Sequence, residues 1–223
     1  MTQGDSLQTE TGLGTSGFVP TVCAHFGCNG ASYNYPGSPP FTQDSQAVGG
    51  TDCQQAATSF SSGLDLNPPP GSFPSQAALS FYNPRRRANI VTLECGVNDW
   101  IHGNTAAQAF TGITNFVTAA KAAGFVVFVA TLTDSCHINL GGGETTFRAV
   151  LNTSIRNGAA GQGYTVIDYA ANATIGADGA SLNATNFQTP EPGCASGGVH
   201  LMPVAVAVQA GIWETAVAGA GYP

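Results

Sequence analysis

Three short motifs, in order along the chain, hold the residue types that acyl transfer requires. Gly4-Asp5-Ser6-Leu7 offers a hydroxyl, Gly96-Val97-Asn98-Asp99 a side-chain amide, and Gly198-Val199-His200 an imidazole. Ester cleavage needs an oxygen nucleophile, a base to take its proton, and donors that hold the tetrahedral oxyanion. Ser6, His200 and Asn98 match those three roles. Each has a plainer reading on its own: a turn serine, a turn capping a strand, a structural histidine like His25, His102 or His137. The weight lies in the set and its order.

The elements between the motifs must bring them together. A compact apolar strand from Asn89 to Cys95 leads directly into the second motif. Phe125 to Leu132, apolar except for Thr131, reads as a strand buried on both faces. A third strand is expected over 164–168, and the end of another over 46–50. Helical spacing predicts helices over 52–61, 104–123 with Gly124 as its stop, about 145–157, and from Pro203 to about Val217. Residues 14–27 read as a short helix broken by Pro20. Residues 28–45 and the Pro68-Pro69-Pro70-Gly71 stretch read as loop or irregular chain. Alternating strands and helices predict a parallel sheet covered on both faces, in one domain over 1–223. Ligand sites in such sheets lie beyond the C-terminal strand ends. Asn98 and the Gly49-Gly50 pair both fall there.

With Gly49-Gly50 included, the ordered motifs resemble the SGNH (GDSL-type) hydrolase family over nearly the whole chain. The resemblance implies a three-layer α/β/α domain with a flavodoxin-like parallel sheet. It implies a serine esterase working through an acyl-enzyme, with Ser6 as nucleophile and His200 as base. The oxyanion hole would comprise the Ser6 N–H, the Gly49 or Gly50 N–H and the Asn98 side chain. Asp5 and Asp99 would hold their loops by hydrogen bonds.

Two positions depart from the family pattern. An aspartate usually stands three residues before the histidine, to fix its tautomer and stabilise the imidazolium. Here that residue is Gly197, and no acid lies between Glu191 and His200. A Ser–His dyad steadied by a backbone carbonyl, a replacement acid such as Glu191, and a weakened enzyme are the three alternatives; the dyad is expected. The family also runs a full central strand into Gly-Asp-Ser, whereas three residues precede Gly4. A very short or truncated first strand is expected.

Composition narrows the class. Only 9% of the 223 residues are charged and the net charge is −7, which argues against a nucleic-acid partner. Arg85-Arg86-Arg87 is read as a solvated strand entrance. No apolar run approaches the roughly 18 residues of a membrane span. Six cysteines lack Cys-x-x-Cys spacing, so disulfides in an oxidising compartment are favoured over zinc. The proposed fold brings Cys136 and Cys194 to one rim, and that pairing is favoured; Cys23, Cys28 and Cys53 are left unassigned, and Cys95 is read as a core thiol. A secreted monomer with no metal and no cofactor is expected, its leader removed or Met1 internal to a longer reading frame. Tyr33, Tyr35, Phe41 and Trp100 are rim aromatics that would stack on a sugar or acyl group, or anchor loops. Short-chain acyl or O-acetyl esters, including those on polysaccharides, are the expected substrates. An acyltransferase and a catalytically silent carbohydrate-binding module are the alternatives.

Overall fold

In the computed structural model the described residues are 2–4, 32–33, 41–42, 50–62, 88–139, 143–189, 191, 194 and 196–222. Their centre is a parallel sheet of β1 (Thr2–Gly4), β4 (Ile90–Glu94), β5 (Val126–Ala130) and β6 (Thr165–Ile167), in the order β1-β4-β5-β6. A separate antiparallel pair, β2 (Ser32–Tyr33) and β3 (Phe41–Thr42), lies in the segment expected to be loop; this corrects that reading in part. Two-residue strands carry too little periodicity to be seen in sequence.

The side chains of β4 and β5 alternate between two cores, as the period of two requires. Val91, Leu93, Val127 and Val129 enter one, beneath α1 (Cys53–Ser62), α3 (Ala106–Ala122) and α5 (Gly143–Gln162). Phe128 and Ala130 enter the other, with Ile167 and the inner face of α6 (Pro203–Gly219). On this second side β4 presents Thr92 and Glu94, both fully buried. Helix α6 answers them: Trp213 Nε1 donates to Thr92 Oγ1 at 2.8 Å, and Gln209 Nε2 to Glu94 Oε2 at 3.0 Å.

Local signals set the helix limits. Thr105 and Gln108 form a capping box that starts α3. Gly124, at φ +88°, turns the chain from α3 into β5. Helix α5 begins earlier and ends later than periodicity suggests. Two short helices, α2 (Val97–Ile101) and α4 (Cys136–Asn139), were not expected at all. The strand leading into the first motif is three residues long, with Gly4 opposite Glu94. The helix expected over 14–27, the strand end over 46–49 and the Pro-rich stretch lie outside the described residues. No helix among the described residues is long and apolar enough to cross a membrane.

Cys136 is bonded to Cys194, as expected. Cys95 is not a core thiol: it is bonded to Cys53, with the Cα atoms 5.3 Å apart. Both sulfurs are buried, which is why an apolar-looking strand end concealed the bond. The sequence separation of 42 is worth about 4 kcal/mol on the chain-entropy account. Cys23 and Cys28 lie outside the described residues.

Candidate active site

One half of the site grows from the end of β4. The chain leaves Glu94, turns at Gly96 with φ +138°, and enters α2. A Cβ at Gly96 would sit 2.8 Å from Leu151 Cδ2 and 2.9 Å from Leu132 Cδ1, so both conformation and space demand glycine. Asn98 is buried, and its Nδ2 donates to the Thr51 carbonyl at 3.2 Å. A primary amide carries two N–H donors, and this bond uses one. Gly50, next to Thr51, has φ +80°. The second and third expected oxyanion positions therefore stand side by side.

Further bonds join the same two segments. Cys53 N donates to Asp99 Oδ2 at 2.9 Å, and Asn104 Nδ2 reaches Asp99 Oδ1 at 3.4 Å. Asp52 caps α1, its Oδ1 accepting from Gln55 N at 2.8 Å, while its Oδ2 faces His102 Nδ1 at 3.4 Å. Asp99 thus holds a loop, as its position suggests. Burial pushes its carboxyl up to about 6, against the Cys53 bond that lowers it.

That shift predicts a pH dependence of stability. Between about pH 3.8, the ordinary value, and about 6, the folded protein keeps a proton on Asp99 that the unfolded chain releases. Asp99 therefore favours folding at low pH, and that contribution is lost as pH rises through 6. Asp99→Asn keeps an oxygen for Cys53 N and removes the titration. Calorimetry from pH 4 to 7 should show Tm of the variant relative to wild type rising across this window. Parallel curves would mean that Asp99 does not carry the proton.

The other half is the loop preceding α6. Gly198 N donates to Ser181 O at 3.0 Å, Cys136 N to Gly198 O at 3.0 Å, and Gln188 N to His200 O at 2.8 Å. His200 Nδ1 is hydrogen-bonded to Glu191 Oε1, and Glu191 Oε2 accepts from the backbone N–H groups of Val199 and, at 3.1 Å, His200. Burial alone would raise the Glu191 carboxyl. The His200 bond, the Val199 N–H and the imidazole's charge outweigh it, so the carboxyl lies below its ordinary value.

This arrangement corrects the expected dyad: a carboxylate, not a backbone carbonyl, faces Nδ1. It also explains Gly197. At φ +84°, a Cβ there would lie 2.8 Å from the Ser181 carbonyl oxygen. Neither conformation nor space admits an aspartate.

Sequence reasoning missed the support beneath this loop. Asp134, beyond β5, donates its N–H to Ile175 O and accepts from Ser181 N at Oδ2, both at 2.8 Å. Arg148, on α5, donates to Gly176 O at 2.8 Å, pairs with Asp178, and lies 3.6 Å from Asp134 Oδ1. The turn on which Gly198 rests is thereby anchored to the sheet. Only the long separation of these residues kept them out of view.

Helix α2, carrying Asn98, packs on α4, whose Cys136 binds the histidine loop; the two halves adjoin there. Ser6 and Gly49 lie outside the described residues. Trp100 packs edge-on against Phe147 with centroids 5.7 Å apart, the arrangement of a loop anchor. The ligand atoms of Cys136, His137 and Cys194 lie within 4.8 Å of one another, but the two sulfurs are bonded together and neither is a thiolate ligand.

The architecture is that of solved SGNH and GDSL-type hydrolases. TesA superposes with a TM-score of 0.64 at 15% identity, over 97% of this chain and 96% of its own. The psychrotrophic esterase EstA from Pseudoalteromonas sp., in a structure inhibited by monoethylphosphonate, gives 0.64 at 14% identity over 98% and 95%. The acetyl xylan esterase AlAXEase gives 0.59 at 16% identity over 97% and 98%. No family model and no curated protein matches the sequence. At such identities the likeness defines the fold alone: this chain has the α/β fold of these structures.

Proposed function

We propose that the protein is a serine esterase acting on carboxylic esters through an acyl-enzyme. The observation that carries this reading is the Glu191 carboxylate on His200 Nδ1, within a fold shared with esterases. A carboxylate there holds the Nδ1–H tautomer, which leaves Nε2 as the basic nitrogen. In this reading Nε2 takes the Ser6 proton as Oγ attacks the ester carbonyl. Glu191 stabilises the imidazolium that forms, and the imidazolium then protonates the departing alkoxide. Water repeats the sequence to release the acid. Asn98 Nδ2 and the N–H groups of Ser6 and of Gly49 or Gly50 receive the oxyanion.

Short-chain acyl or O-acetyl esters are the proposed substrates, carbohydrate esters among them. The acetyl xylan esterase of the same fold supports that choice. The two disulfides among the described residues suit a secreted enzyme.

The test is turnover of p-nitrophenyl acetate and butyrate by wild type beside Ser6→Ala. Asn98→Ala should lower kcat by about 10²–10³, the cost of one oxyanion donor, with KM little changed. A rise in KM with kcat unchanged would place Asn98 outside the oxyanion hole.

A further inference from the structure

The Cys53–Cys95 disulfide joins the two segments that carry the proposed oxyanion donors. Cys53 lies three residues after Gly50, and Asn98 three residues after Cys95. Two hydrogen bonds run alongside: Asn98 Nδ2 to Thr51 O at 3.2 Å, and Cys53 N to Asp99 Oδ2 at 2.9 Å. The Asp52–His102 contact, at 3.4 Å, closes the exposed end. One covalent and three polar links thus span residues 51–53 and 95–102. The hydrogen bonds alone would let Thr51 and Asn98 exchange partners with water. The disulfide, with sulfurs shut away from solvent, does not.

We infer that this disulfide is a positioning element for catalysis, holding the Gly50 backbone and the Asn98 amide in register with the developing oxyanion. The inference rests on the esterase reading. Oxyanion donors act through preorganisation, and a misplacement near 1 Å costs about 10²-fold in rate. The group being held acts on the transition state, so the loss falls on kcat rather than KM.

The test compares Cys53→Ala/Cys95→Ala with wild type on p-nitrophenyl acetate, with rates normalised to sites titrated by a fluorophosphonate. The same pair is then placed in an Asn98→Ala background. In the native background kcat should fall by about 10- to 100-fold, with KM changed by less than about threefold. In the Asn98→Ala background the further fall should be clearly smaller than in the native one, because one of the two donors being positioned is gone. A bond that only stabilises the fold would give equal falls in both backgrounds, and that result overturns the inference. So does an unchanged kcat in the native background. Cys53→Val/Cys95→Ala restores buried volume and serves if the alanine pair does not fold. Should neither fold, the bond is needed for the fold as a whole rather than for the site, and that result also overturns the inference. A wild type without turnover overturns the esterase reading itself, and this inference with it.

Discussion

Ser6→Ala should lower kcat for p-nitrophenyl acetate by about 10⁴–10⁶, to the background that binding and oxyanion stabilisation provide without a nucleophile. The effect exceeds that of Asn98→Ala for a chemical reason. Losing one donor raises the energy of a step that still occurs, whereas losing Oγ removes the acyl-enzyme. Methanol or glycerol added to the wild-type reaction should partition the acyl group between water and alcohol at one common intermediate. Product analysis then distinguishes hydrolase from acyltransferase. Fluorophosphonate should label wild type and leave Ser6→Ala untouched. Turnover in the variant equal to wild type would remove Ser6 from the mechanism, and a folded wild type without turnover would favour a binding module.

The sheet was legible because its central strands, β4 and β5, are buried on both faces. Val126–Ala130 has no polar residue to disguise it, and Ile90–Glu94 runs straight into the Gly96 turn. The placement of Asn98 followed from that turn alone. What sequence could not show depends on contacts between distant segments. Gly197 reads as a missing acid until the Ser181 carbonyl is seen against it. Glu191 was the nearest acid before His200, but nothing in a nine-residue separation says that the chain doubles back. Cys95 sits among apolar residues because its partner, Cys53, brings a second buried sulfur to the same core. Helices α2 and α4 are too short to show periodicity, yet they link the two halves of the site.

These contacts divide the labour. Residues near Asn98 are fixed by a buried disulfide and by a carboxyl, Asp99, whose burial favours its proton. Residues near His200 are fixed by a carboxyl whose hydrogen bonds favour its charge. The two acids respond to pH in opposite directions, and only Glu191 touches the proposed base.

Glu191→Gln should therefore lower kcat by up to about 10⁴, the scale of a mis-set tautomer in a serine-protease triad. Glutamine is the same size and can still accept from Val199 or His200 N–H through one oxygen. It removes the charge that stabilises the imidazolium, and its amide can face Nδ1 as a donor, which reverses the tautomer. Glu191→Asp keeps the charge but shortens the reach, and should retain more activity than the glutamine. Stability gives an independent check. The folded Glu191 carboxyl lies below its ordinary 4.5, so its contribution is present above that value and lost as pH falls through the folded one. Wild type should lose stability below about pH 4.5 more steeply than Glu191→Gln. If Glu191→Gln retains kcat within about tenfold and the acid limbs coincide, the carboxylate is a loop tether, and the working pair is Ser6 and His200 alone.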